Sequence, residues 1–166
     1  MKSEHSVPIA GWLAQLHSIR QKFSLTMPLP ENPPLGHLPF EPPLQSSPDL
    51  AEFWELWREE KFWACHEALE DVWKIETDAK RKQFLQGLIH GAVAVFQFRR
   101  GNFVGACRQY TRARVRLSSS LPMREELDVA GFLISVRREI ESAFGKLSEK
   151  ERADLDELEA RLRGQQ

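Results

Sequence analysis

The chain has 166 residues, with 23 Lys and Arg against 24 Asp and Glu, so its net charge of −1 points neither to nucleic acid nor to an acidic partner. That length fits one domain, and the Leu, Val, Ile and Phe content with five Trp suffices for a core. No apolar run approaches the ~20 residues of a membrane span, and the opening "MKSEHSVPIAGW" has no apolar signal core.

In chain order, "PIAGWLAQLHSIRQKF" is expected to be a helix with Ile9, Trp12, Leu13, Leu16, Ile19 and Phe23 on one side. Residues 27–48 then carry eight of the ten prolines. Proline removes a donor and biases its predecessor to extended forms, so this stretch reads as a tether that wraps the domain through Leu35, Leu38 and Phe40 or stays free of it. His37 within it is expected to be solvated. From Pro48 onward the pattern is helical. "PDLAEFWELWREEK" puts Leu50, Phe53, Trp54 and Trp57 on one face, and "FWACHEALEDVWK" follows almost at once.

A longer helix, "DAKRKQFLQGLIHGAVAVFQFRRGN", ends at Gly101-Asn102, and "NFVGACRQYTRARVRLSSS" is stopped by its serines and Pro122. "LDVAGFLISVRREIESAFG" opens with Asp128 as N-cap and closes at Gly145. "SEKERADLDELEARLRG" opens with Ser148 and Glu151 in capping-box spacing. No alternating β-branched pattern occurs, so the fold class is all-α. Residues 60–62 align with 101–103 at a period of about forty, as in helical-hairpin repeats. The expected architecture is a compact array of two packed αα-hairpins, tetratricopeptide-like, with flanking helices. The expected boundaries are 1–48 for the N-terminal helix and tether, 49–146 for the core domain and 147–166 for a charged helix. Cys65 and Cys107 lie in helical patterns without Cys-x-x-Cys spacing, which suits reduced, buried thiols and a cytoplasmic location.

At about 100° per residue, Phe62, His66, Leu69 and Trp73 share one narrow stripe, with Cys65 and Val72 beside it. Glu70 sits on its edge, while Glu67 and Asp71 point away. The helix around residues 84–98 is apolar almost all round and should therefore be buried. Its polar residues Gln86, His90 and Gln97 fall on one line, and Gly87 and Gly91 form an adjacent groove. An unpaired buried polar group costs about 1–3 kcal/mol. The economical expectation is that His66 and Glu70 face Gln86 and His90 in one buried polar cluster where the hairpins meet.

"FWACHEALEDVW", "FLQGLIHGAVAVFQFRRGN" and "LDVAGFL" together resemble the domain of unknown function family 309, an all-helical family. Its signature is a His-Glu-x-x-Glu-x-x-Trp helix followed by a Phe-Leu-Gln-Gly helix ending in Arg-Gly-Asn. His66, Glu67, Glu70, Trp73, Gln86 and Gly87 align with it, and the resemblance runs from about Leu50 to Phe144. His90 stands where the family often carries glutamine. The resemblance implies a small helical array and brings no cofactor or activity with it.

Two functional classes follow. The first is a binding or scaffold domain with the polar cluster at its hairpin junction, taking a small-molecule ligand, a protein partner or a second copy of the chain. The second is an enzyme using His66 and Glu70 as an acid–base pair. In either, Glu67, Trp73, Gln86, Gly87 and His90 are the candidate ligand-binding residues, with walls from Phe62, Trp63 and Trp73. A metal held by His66, Glu70 and His90 is the narrowest version, but the zincin spacing is absent because position 70 is Glu. Arg108, Arg112 and Arg116 make an i, i+4, i+8 stripe that reads as a solvated face pairing with acidic neighbours. Nucleic acid is set aside because interleaved stacking aromatics are missing.

Overall fold

Pro48 sits in the first turn of helix α1 (Pro48–Arg58), where a missing N–H goes unnoticed. The computed structural model describes residues 40–43 and 46–165. The helix expected at residues 8–23, with Trp12, and the positions Leu35, His37 and Leu38 lie outside them. After α1 come α2 (Phe62–Ile75), α3 (Ala79–Arg99) and α4 (Phe103–Leu117), then a 3₁₀ turn (Ser118–Ser120) and the strands β1 (Met123–Arg124) and β2 (Leu127–Asp128). Helices α5 (Val129–Glu139), α6 (Glu141–Gly145) and α7 (Glu149–Arg163) complete the fold. The all-α reading is correct, with one small antiparallel ribbon added, Met123 opposite Asp128 and Arg124 opposite Leu127.

The turns inside the two hairpins are one motif used twice. Between α1 and α2, the Lys61 N–H donates to Leu56 O (2.9 Å) and the Glu60 N–H to Trp57 O (3.0 Å). Between α3 and α4, the Asn102 N–H donates to Gln97 O (2.9 Å) and the Gly101 N–H to Phe98 O (2.9 Å). Both are Schellman caps that need a left-handed residue, supplied by Glu60 (φ 58°) and Gly101 (φ 78°). This shared turn is the physical content of the faint repeat between 60–62 and 101–103. Arg99 ties one turn to the other hairpin: it donates to Glu60 (2.8 Å) and Glu139 (3.1 Å) and lies 4.6 Å from the centre of the Phe62 ring.

Helix α3 is the axis of the core, with Phe84, Leu85, Leu88, Ala92, Ala94 and Val95 fully buried. It packs on α2, α4 and α5. Its two glycines are there for neighbours to come close. A Cβ on Gly87 would lie 2.5 Å from Leu117 Cγ, and one on Gly91 2.5 Å from Phe132 Cζ. The groove expected at these positions is thus filled by side chains of the protein itself.

Phe132 also meets Trp57 and Trp54 at ring-centroid separations of 5.2 and 6.1 Å. Phe40 closes this aromatic group, 5.9 Å from Trp54 and 5.7 Å from Phe132, while Arg58 donates to the Pro43 carbonyl at 2.8 Å. The end of the Pro-rich stretch therefore does lie on the domain, through Phe40.

The expected caps are present at Asp128, whose side chain accepts from the Gly131 N–H, and at the Ser148–Glu151 capping box. The segment from 129 to 145 is nonetheless two helices, interrupted at Ile140 (φ −98°, ψ 10°). Helix α7 covers α4 with Leu155, Leu158 and Leu162, all buried. Among the described residues no helix is long and apolar enough to cross a membrane.

Candidate functional site

Spacings of three, four and three residues bring Trp63, His66, Glu70 and Trp73 along one edge of α2. Trp63 is 44 % exposed although it is a large aromatic. Its ring lies on the His66 imidazole (centroids 4.6 Å, interplanar angle 31°) and against Phe96 of α3 (4.9 Å). The three rings make a platform that reaches solvent.

His66 is half-buried, yet among the described residues nothing holds it by a hydrogen bond. Its Nδ1 is buried without a partner. Its Nε2 is 4.0 Å from Glu70 Oε2, outside hydrogen-bonding distance, and Lys74 draws the same carboxylate oxygen at 3.6 Å. The buried Nε1 of Trp73 also lacks a partner among the described residues, with the Lys82 amine 5.1 Å from the centre of its ring. Glu67 is exposed, on the far side of α2 from the core.

Of the polar line of α3, His90 and Gln97 are answered from α4 and its N-cap Asn102. Among the described residues Gln86 has no hydrogen-bond partner in this hairpin, and Gln83 takes the next place in the register. His90 Nδ1 lies 2.8 Å from Gln109 Oε1, Gln83 Nε2 donates to the Arg116 carbonyl at 3.2 Å, and Asn102 Nδ2 donates to Gln97 Oε1 at 2.9 Å. These pairs follow the antiparallel register of one hairpin: each step moves seven residues back along α3 and seven forward along α4. Among the described residues no hydrogen bond joins His66 or Glu70 to Gln86 or His90. His90 is paired instead within the second hairpin, with Gln109. Sequence reasoning missed Gln109. The seven-residue step back from the Gly101 turn is the signal that marks it.

Burial pushes the His90 imidazole down to about 4, against the opposing effect of Gln109, with Arg112, Arg116 and His66 adding to the fall. His90 is thus neutral near pH 7. Its bond to a carbonyl oxygen assigns the proton to Nδ1 and leaves Nε2 a bare acceptor.

Burial also pushes the Cys65 thiol up to about 12 and the Cys107 thiol up to about 11. Both thiols are free and buried, and Cys65 contacts Phe53 O at 3.6 Å, so neither presents a nucleophile near neutrality. Among the described residues no three His, Cys, Asp or Glu side chains are gathered to hold a metal ion, so His66, Glu70 and His90 do not form a ligand set.

Residues 50–109 match the family described as "Domain of unknown function (DUF309)". The DUF309 resemblance is real. The matched segment contains His66, Glu70, Trp73, Gln86, Gly87, His90 and Gln109, and it stops short of the "LDVAGFL" motif. The chain is also similar to "Uncharacterized protein YpuF" of Bacillus subtilis (strain 168), 45% identical over 47 residues. Those residues are 28% of this chain and 27% of that protein, so the likeness spans about a quarter of the relative's length. No solved structure matches significantly. The matched segment thus contains Trp63, His66 and Phe96 with all of α2 and α3 and the first half of α4.

Proposed function

We propose that this tetratricopeptide-like pair of hairpins is a cytoplasmic binding domain for a small planar ligand, received on the Trp63–His66–Phe96 platform. One observation carries the reading. His66 is half-buried beneath an exposed tryptophan and has no hydrogen bond to any of the described residues. A polar side chain that serves the fold is normally hydrogen-bonded; one that is not keeps its capacity for something else. A flat heteroaromatic group would extend the stack on Trp63 and meet the imidazole at its edge, with Glu70 and Trp73 along the same edge of α2. Gln86 and His90 come from the neighbouring helix, and Gly87 serves by letting α4 approach. Acid–base chemistry by His66 with Glu70 gains less support, since the carboxylate stands 4.0 Å away and is shared with Lys74.

His66→Gln separates the two roles. The expected result is a melting temperature within about 2 °C of the wild type, together with loss of the NMR shifts that indole and benzimidazole fragments produce at the Trp63 indole N–H. A melting temperature several degrees lower, or fragment shifts that avoid Trp63 and His66, would overturn the reading.

A further inference from the structure

The arginines of α4 fall into two groups. Arg114 is paired with Glu159, which also accepts from Arg163 at 2.9 Å. The stripe of Arg108, Arg112 and Arg116 is not answered in kind. Arg108 comes only to 3.9 Å of Asp154, and among the described residues no carboxylate lies within ion-pair distance of Arg112 or Arg116. Within the stripe, the expected pairing with an acidic neighbour is therefore met loosely by Arg108 and, among the described residues, not by Arg112 or Arg116. Arg112 is half-buried, and its burial, with Arg108 and Arg161 beside it, weakens its hold on its proton. A depression of about 260 Å³ opens there between α4 and α7, lined by Arg108, Arg112, Asp154, Glu157, Leu158 and Arg161.

We propose that this depression binds the phosphate group of a small phosphorylated ligand. Guanidinium groups match phosphate oxygens with paired N–H donors, and Arg112 with Arg108 and Arg161 presents three of them around one hollow. Asp154 and Glu157 are acceptors only, so they suit hydroxyl or amine hydrogens on the rest of the ligand. This mixed lining favours a phosphate monoester of a polyol over a bare ion. The volume suits a compact molecule, below the ~300–1,000 Å³ usual for drug-sized ligands. Among the described residues no aromatic ring lines the hollow, so none of them offers a nucleic-acid base a ring to stack on.

Calorimetric titration of the full chain with glycerol 1-phosphate at low salt tests the site, with glycerol as the uncharged control. Vesicles of phosphatidic acid and of phosphatidylcholine distinguish a lipid headgroup from a free phosphate. Glycerol 1-phosphate should bind the wild type, Arg112→Gln should weaken it by about tenfold or more, and Arg138→Gln, an exposed arginine on α5, should leave it unchanged. Phosphatidic acid binding that Arg112→Gln removes, without soluble binding, assigns the same site to a headgroup. Equal losses in both variants would mean a diffuse field and overturn the proposal. So would no binding of either phosphate, or binding of a single-stranded RNA oligomer alone. Should Arg112→Gln fail to fold, Arg161→Gln replaces it in the same comparison.

Discussion

His90 is an imidazole whose burial penalises its charged form, with no acidic side chain among the causes to compensate. In the unfolded chain it titrates near 6.5, and in the folded protein near 4, because burial penalises the imidazolium. Between these values the unfolded state binds the extra proton, so the stability that His90 supports is present above about pH 6.5 and is lost as pH falls toward 4. His90→Gln keeps a neutral polar group opposite Gln109 and has nothing to protonate. Its urea midpoint should match the wild type near pH 7 and fall less steeply between pH 6.5 and 4.5; an unchanged slope would show that His90 titrates normally. At this scale the sequence marks the right residues but not their partners. His90 is conspicuous as a polar group on an apolar helix, whereas Gln109 looks like any surface amide until the hairpin register is known. His66 is conspicuous for the same reason, but its lack of a hydrogen bond is a property of three-dimensional packing and leaves no trace in spacing.

Helix ends and turns were legible where local chemistry alone decides them. Ser148, Asp128 and Gly101 each use a residue type suited to its backbone position. The β1–β2 ribbon was not legible, and its turn explains why. Both central residues, Glu125 and Glu126, have positive φ (49° and 63°), a conformation that normally calls for Asn-Gly. Glu125 is kept there by Arg81, whose Nε and Nη2 donate to its carboxylate at 2.9 and 3.2 Å. Glu126 is exposed and makes no such contact among the described residues, so it bears the left-handed strain without return. Glu126→Gly should therefore stabilise the protein by about 0.5–1 kcal/mol, read as a higher urea midpoint at constant slope. A lower midpoint would mean that the Glu126 side chain has work to do in this turn. The break at Ile140 was equally hidden, since the apolar period runs through it without a proline or glycine to mark the interruption.

For the whole molecule, the question is what fixes the ends of the helices relative to one another once the apolar stripes are buried. Arg99 does this at one end of α3 and Arg81 at the other. From the first turn of α3, Arg81 reaches Asp49 on α1 (2.7 Å), Glu76 in the α2–α3 connection (2.7 Å) and Glu125 in the ribbon (2.9 Å). Three segments far apart in sequence thus converge on one guanidinium, which has enough donors for all of them. Arg81 holds the Glu76 carboxyl below its usual range. Asp49 is also lowered: its burial, the largest single effect, acts the other way, and the Arg81 guanidinium bonded to it helps to outweigh that. For carboxylates lowered on folding, the stabilisation is present above their ordinary pKa and disappears as pH falls through the lowered value. Arg81→Gln should accordingly lower the urea midpoint at pH 7 by about 1 M. The gap to the wild type should be narrower at about pH 3 than at pH 7, because acid works against the lowered carboxyls of Asp49 and Glu76. An equal gap at both pH values would assign the loss to packing of the arginine stem rather than to its charge. The aromatic stripes of α1 and α2 predict that helices meet; it takes this one charged contact, invisible to any local pattern, to set where the ribbon and the first helix come to rest.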